Sequence, residues 1–323
     1  MPSLKEIKTR IVSVKSTRKI TSAMKMVASS KLHHAQTAIQ NMLPYENTLE
    51  HILKAFLVSV PDAQSVLSVE RSEVKRVALI VYSSNSSLCG GFNGNVIRVM
   101  QQAIADYRAA GVDDITVYPI GRKVAEQVAK LPCHCAGDFT ELADKPNAKD
   151  CADIAREVTL KFVAHEYDKV EMIYHHFKSA GTQILTRRNF LPIDLSTEKI
   201  GTFNDRDLSS NLATQKAQEY LRKKGETQER KNEEVVALND DFIVEPDMET
   251  VLKDLVPKLL HLMVYTALLD SVASEHAARM VAMQTATDNA DELLKTLNLE
   301  YNKSRQTAIT NELLDIVGGS ANN

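Results

Sequence analysis

Residues 255–316 read LVPKLLHLMVYTALLDSVASEHAARMVAMQTATDNADELLKTLNLEYNKSRQTAITNELLDI. The stretch holds no glycine, and its one proline is Pro257. Stepping alternately three and four residues from Leu255 meets Leu259, Leu262, Thr266, Leu269, Ala273, His276, Met280, Met283, Thr287, Ala290, Leu294, Leu297, Tyr301, Ser304 and Ala308. A 3.5-residue spacing sustained that long is the mark of a left-handed coiled-coil seam. At ~1.5 Å per residue the helix is about 90 Å long. Alone it cannot bury its stripe, so it needs a partner. Gly318 and Gly319 are expected to stop it.

The other end of the chain offers that partner. The same stepping from Leu4 meets Ile7, Ile11, Val14, Arg18, Thr21, Lys25, Ala28, Leu32, Ala35, Ile39 and Met42, then Leu49, Leu53 and Phe56. Around Ile20, Met24 and Val27 the apolar stripe drifts to a neighbouring face. Pro44 is expected to bend or break this helix and Pro61 to end it. A whole domain joins the two helices, so their pairing is expected to be antiparallel. Several seam residues are polar: Arg18, Thr21, Lys25, Thr266, His276 and Thr287. Polar seam residues cost stability and fix register, or mark where the pair touches something else.

Through Lys31 the N-terminus carries Lys5, Lys8, Arg10, Lys15, Arg18, Lys19, Lys25 and Lys31 against Glu6 alone. A basic, serine-rich, acid-poor start also suits a transit peptide. The helical pattern runs unbroken into residues 32–56, which favours a structural helix.

The middle alternates strand and helix. Residues 77–83 (VALIVYS), 115–120, 170–177 and 183–190 read as strands; 96–110, 122–130 and 150–165 read as helices. That alternation predicts a parallel or mostly parallel sheet with helices packed on it. Residues 204–241 differ, with sixteen Asp, Glu, Lys or Arg and few large apolar residues. They read as a solvated helix or a disordered insertion. The expected fold is thus α/β: a long antiparallel coiled coil flanking a central Rossmann-like domain. The boundaries are 1–60 for the first helix, 74–200 for the α/β domain, 201–245 for the insertion and 246–319 for the last helix.

Composition narrows the function. The net charge of −3 excludes a chain that binds nucleic acid over its whole surface. The four cysteines, Cys89, Cys133, Cys135 and Cys151, sit in a chain too large to need staples and read as reduced thiols. No apolar run is expected to reach the ~18 residues that cross a bilayer. Residues 88–95 (LCGGFNGN) form a glycine-rich loop between strand and helix, where a phosphate could sit. The segment lacks both GxxxxGK[ST] and GxGxxG, and the nearest acidic candidate for a ribose contact, Asp113, lies in a turn. A tight turn is the simpler reading. Cys133, His134 and Cys135 offer metal donors without a second pair. His175 and His176 lie on one strand and point to opposite faces, and His33 and His34 are ~100° apart on a helix. Serines at 83–87 have no GxSxG elbow around them. No catalytic residue, cofactor or metal site is expected.

Two segments carry a family resemblance. Residues 7–32, IKTRIVSVKSTRKITSAMKMVASSKL, closely resemble the N-terminal helix of the gamma subunit of F-type ATP synthase. Residues 274–319, with SEHAARMVAMQTATDNA and YNKSRQTAITNELLDIVGG, resemble that subunit's C-terminal helix, and LCGGFNGN its middle domain. The resemblance implies a non-catalytic, asymmetric rotor shaft inside a ring of three alpha and three beta subunits. Its foot would rest with the epsilon subunit on the membrane-embedded c-ring. It would couple proton or sodium flow to ATP synthesis or hydrolysis and regulate ATPase activity. The implied contact zone with the catalytic subunits maps onto Met24, Lys25, Arg279, Arg305, Gln306 and Thr310. A peripheral position on the cytoplasmic face of a bacterial inner membrane is implied, with no transmembrane segment of its own and no nucleic acid. Two departures stand out: residues 83–87 lack the Asp-bearing form, and the 204–241 insertion is long for the family. Two rivals remain: a stand-alone coiled-coil scaffold, which predicts a homodimer, and a small α/β ligand-binding protein, which predicts a bound nucleotide or metal.

Overall fold

A computed structural model describes residues 3–59, 67, 71, 73–193, 244–245 and 247–320. The expected insertion at 201–245 lies almost wholly outside the described residues. Helix α1 spans Leu4–Ser59 and α6 spans Met248–Ser320. Between them come β1 (Arg76–Tyr82), α2 (Phe92–Ala109), β2 (Asp114–Ile120), α3 (Arg122–Val128), β3 (His134–Cys135), α4 (Thr140–Asp144), α5 (Ala148–Val163), β4 (Lys169–Ser179) and β5 (Thr182–Leu191). Both long helices start on side-chain caps. Ser3 and Glu6 exchange hydrogen bonds with each other's backbone N–H at 3.3 and 2.9 Å, a capping box. Asp247 Oδ1 accepts from Thr250 N at 2.9 Å.

The helices pair antiparallel. Ile7 and Ile11 pack with Leu294 and Leu297. Arg18 meets Asp291, Thr21 meets Thr287, and Leu32, Ala35 and Ile39 pack with Leu269, Ala273 and Ala277. The partner numbers fall as the α1 numbers rise, as a helix doubling back requires. The basic stretch through Lys31 therefore lies inside α1, packed along α6.

Two expectations about the helix ends are corrected. Of the bend or break expected at Pro44, the break does not occur: α1 runs on to Ser59, and Pro61, expected to end it, lies outside the described residues. Pro44 and Gln40, whose carbonyl loses its donor there, both face solvent, so water can satisfy the orphaned group. Gly318 and Gly319 do not stop α6, which continues to Ser320. At ~1.5 Å per residue α1 is about 84 Å long and α6 about 110 Å.

The sheet has the order β3-β2-β1-β4-β5. β1, β2, β3 and β4 pair in parallel, and β5 closes the edge antiparallel to β4. Strand side chains alternate between the two faces. Val77, Leu79 and Val81 point into a core with α2 and α3; Ala78, Ile80 and Tyr82 point into one with α5 and α6. Each fully buried aliphatic side chain there contributes about 1.5–3 kcal/mol. The three expected helices and four expected strands all form, with small boundary shifts. β3 and α4 were not read from the sequence; at two and five residues they are too short to show a period.

The membrane expectation also needs correction. An 18-residue window within α6 reaches a mean hydropathy of 1.3, long and apolar enough to cross a bilayer. That window is 72% buried inside the fold. Leu259, Leu260, Val264 and Leu268 pack on the sheet and Leu269 and Ala273 on α1, so α6 is apolar nearly all round at this level.

Candidate functional site

Strand order reverses between β1 and β4, and the glycine-rich loop lies at that point. Its polar groups turn on one another. Asn93 Nδ2 donates to Ser84 Oγ at 2.8 Å, Ser86 O at 3.2 Å and Cys89 Sγ at 3.1 Å. Ser84 N donates to Asn93 Oδ1 at 3.0 Å. Gly90 takes φ +59°, which a side chain would disfavour. The loop is thus a self-satisfied tight turn. Nearby, Gly121 follows β2 with φ +106°, and a Cβ there would lie 2.2 Å from Ser83 O. Only glycine lets β2 pass so close to the end of β1.

A cleft of about 230 Å³ lies between this loop and α6, lined in part by Cys89, Gly91, His175, Gln183 and Ala278. The His175 ring stacks on Phe92 at 4.3 Å, and burial pulls its pKa down to about 3. It is a neutral core imidazole. His176 faces the other way, as expected, with Nδ1 2.6 Å from Asp270 Oδ2. The thiols of Cys133 and Cys135 turn to separate carbonyls, Val128 O and Gly137 O. Among the described residues no group of three donors is placed to hold a metal.

The six residues implied as partner contacts fall at two levels along the shaft. Met24 and Lys25 are half-buried beside the α6 seam. Arg279 lies near them and is nearly buried, its side chain 11% exposed. It donates to Glu275 Oε1 at 2.7 Å and to Ser86 Oγ at 2.6 Å, so it ties α6 to the loop. Burial raises the Glu275 carboxyl's pKa, with Arg279 pulling it back down. Burial also lowers His276 to about 4, helped by the charges of Arg279 and Lys31.

Arg305, Gln306 and Thr310 are exposed near the far end of α6. They lie about 39 Å beyond Arg279 at ~1.5 Å per residue. Thr310 Oγ1 donates to Gln306 O within the helix at 2.9 Å. The structure therefore does not gather the six into one patch. The end of α6 passes Ile7 and Ile11, the first buried turns of α1, at Leu294 and Leu297. Past Tyr301 it continues without α1 beside it, and Ile309, Leu313 and Leu314 stand exposed. A second exposed apolar group, Ile20, Met26 and Val27, sits on α1 beside the polar part of the seam. This is where the sequence stripe drifted off the seam face.

Sequence reasoning missed the ion pairs that bind the helices to the sheet. Glu46 occupies the seam step between Met42 and Leu49 and is 1% exposed. Arg188 of β5 meets it at 3.2 Å and Glu50 at 3.0 Å. The signal was present as an acidic residue where the stepping demanded an apolar one. Its partner, 142 positions away, was not legible.

A family model described as ATP synthase matches residues 3–322. The ATP synthase gamma chain of Phocaeicola vulgatus is 50% identical over 320 residues, 99% of each chain. That of Bacteroides fragilis is 50% identical over the same length and share. Among solved structures, a chain of the Euglena gracilis mitochondrial ATP synthase (OSCP/F1/c-ring, rotational state 3) aligns with TM-score 0.62 and 19% identity, covering 98% of this chain and 93% of that one. A chain of the Tetrahymena thermophila mitochondrial ATP synthase central stalk and c-ring aligns with TM-score 0.55 and 24% identity, covering 83% and 99%. At those identities the two structures speak to the fold. The bacterial source expected from the sequence agrees with these relatives. Matched end to end by the family model and half identical to curated relatives over its length, the chain belongs to the ATP synthase family as a gamma chain, a non-catalytic subunit of the central stalk.

Proposed function

We propose that this chain turns inside a ring of three alpha and three beta subunits, with its foot on the membrane c-ring beside the epsilon subunit. It carries torque between cation flow and ATP synthesis or hydrolysis. Each orientation of an asymmetric shaft stabilises a different conformation at each surrounding site, and that coupling acts in both directions. Nucleotide chemistry belongs to the partner subunits. The place of work is the cytoplasmic face of the bacterial inner membrane, reached through partners.

The observation that carries this reading is the end of α6. Past Tyr301 it leaves α1 behind and presents Arg305, Gln306 and Thr310 together with Ile309, Leu313 and Leu314 to solvent. A single helix with unburied leucines is unstable in water and calls for a surrounding sleeve. Arg305 offers a fork of donors suited to carboxylates in that sleeve. Met24 and Lys25 form a second, lower contact level, with Arg279 behind them tying α6 to the loop.

A tagged chain recovered from detergent-solubilised membranes tests this. Two larger subunits in equal amount, each in clear excess over the tagged chain, should co-elute with ATPase activity. Recovery of the tagged chain alone, or paired with itself, sinks the reading.

A further inference from the structure

Polar contacts fasten both long helices to the sheet and the loop that follows β1. α6 is held at four levels. Tyr82 Oη donates to Val264 O at 3.0 Å, and Asp270 meets His176 Nδ1 at 2.6 Å and Phe177 N at 2.8 Å. Ser274 Oγ donates to His175 O at 3.2 Å, and Arg279 Nη2 to Ser86 Oγ at 2.6 Å. α1 meets the sheet through Leu49 and Leu53, which share its core, and through Arg188, whose two guanidinium nitrogens reach Glu46 Oε1 at 3.2 Å and Glu50 Oε1 at 3.0 Å.

An apolar side chain at position 46 would pack into the seam without the desolvation that a buried carboxylate and guanidinium demand. Apolar contact is non-directional, however, and a helix can slide or roll across it. A planar fork gripping two carboxylates one helical turn apart fixes both axial position and rotation. Arg188 pairs with Met172 across the β4–β5 ladder, and β4 also carries His176 and Phe177, which Asp270 holds. One hairpin thus grips both helices, α1 through β5 and α6 through β4.

We propose that the β4–β5 hairpin is a torsional staple for the shaft, with Arg188 the residue that positions α1 on the body formed by the sheet and α6. The proposal rests on the torque-coupling function proposed above. The cross-seam pairs Arg18–Asp291 and Thr21–Thr287 set register near the start of α1; without the staple, the turns of α1 beside the sheet roll under torque, and rotation at the head follows rotation at the foot less closely.

The test uses the complete ATP synthase in sealed vesicles, with ATP hydrolysis and ATP-driven cation uptake measured on one preparation. The triple variant Glu46→Met, Glu50→Gln, Arg188→Met removes all three charges together, so none of the three is left facing an uncharged partner. It should hydrolyse ATP within about twofold of wild type while uptake per ATP falls at least about threefold. Arg188→Lys keeps the charge but loses the fork, and its uptake per ATP should fall by about half. A merely structural role would lower assembly, hydrolysis and uptake together and leave the ratio unchanged. An unchanged ratio in the triple variant overturns the proposal. Should the triple variant not assemble, an unchanged ratio in Arg188→Lys overturns it instead. Wild-type complex that hydrolyses ATP without any uptake sinks the proposed torque coupling itself, a result distinct from a coupled variant.

Discussion

His175 shows how a residue's chemistry is set by where the fold puts it. On the sequence it is one of two adjacent histidines on a strand; in the structure it is 3% exposed and stacked on Phe92. Burial favours the neutral form and lowers its pKa from 6.5 to about 3. The unfolded chain therefore binds a proton that the folded chain refuses between those values. Stability from this group is complete above pH 6.5 and drains away as pH falls toward 3. His276, lowered to about 4, adds to the same slope. Urea midpoints of the purified chain should fall between pH 6.5 and 4. The variant His175→Leu should flatten that fall by close to one proton, removing roughly 3 kcal/mol of pH-dependent stability over the interval. An unaltered slope would mean the imidazole is protonated in the fold.

The long helices were legible because their period repeats over dozens of residues, enough to outweigh single misfits. The same strength explains the two errors at element scale. Pro44 is a local breaker, yet α1 continues because its flanks are held by α6 and its orphaned carbonyl meets water. A proline inside a helix still costs up to ~3 kcal/mol. The variant Pro44→Ala should raise the thermal midpoint of the chain, by roughly 1–2 kcal/mol of stability. A lowered midpoint would mean that a bend at this point serves the packing. The polar seam is the second lesson. Thr21 and Thr287 hydroxyls pair at 2.9 Å and Arg18 meets Asp291 at 2.6 Å, so these three polar steps reach across the seam, whereas Thr266 turns to the carbonyls of its own helix. The Arg18–Asp291 pair is half exposed and worth at most about 1 kcal/mol, so register rather than strength is its contribution.

At the scale of the whole molecule, the unequal helix lengths divide fold stability from partner binding. Residues 309–314 of α6 are exposed, so deleting 311–323 should shift the chain's own unfolding free energy by less than about 0.5 kcal/mol. The same deletion should weaken retention of the larger subunits in a tagged pull-down. A large loss of thermal stability would show that the end of α6 folds back on the body. The sequence by itself determined the two helices, their antiparallel pairing, the alternation of strands and helices, and the family, because these rest on periods and motifs that adjacent residues carry. It did not determine that the six implied contact residues stand about 39 Å apart in two groups, since helix rise converts spacing into distance only once the helix is known to be unbroken. Nor did it give the pairing of Glu46 and Glu50 with Arg188, or of Asp270 with His176. Those pairs join residues about a hundred or more positions apart. Only the closure of the sheet against both helices brings them within reach, and local sequence carries no record of a partner that distant.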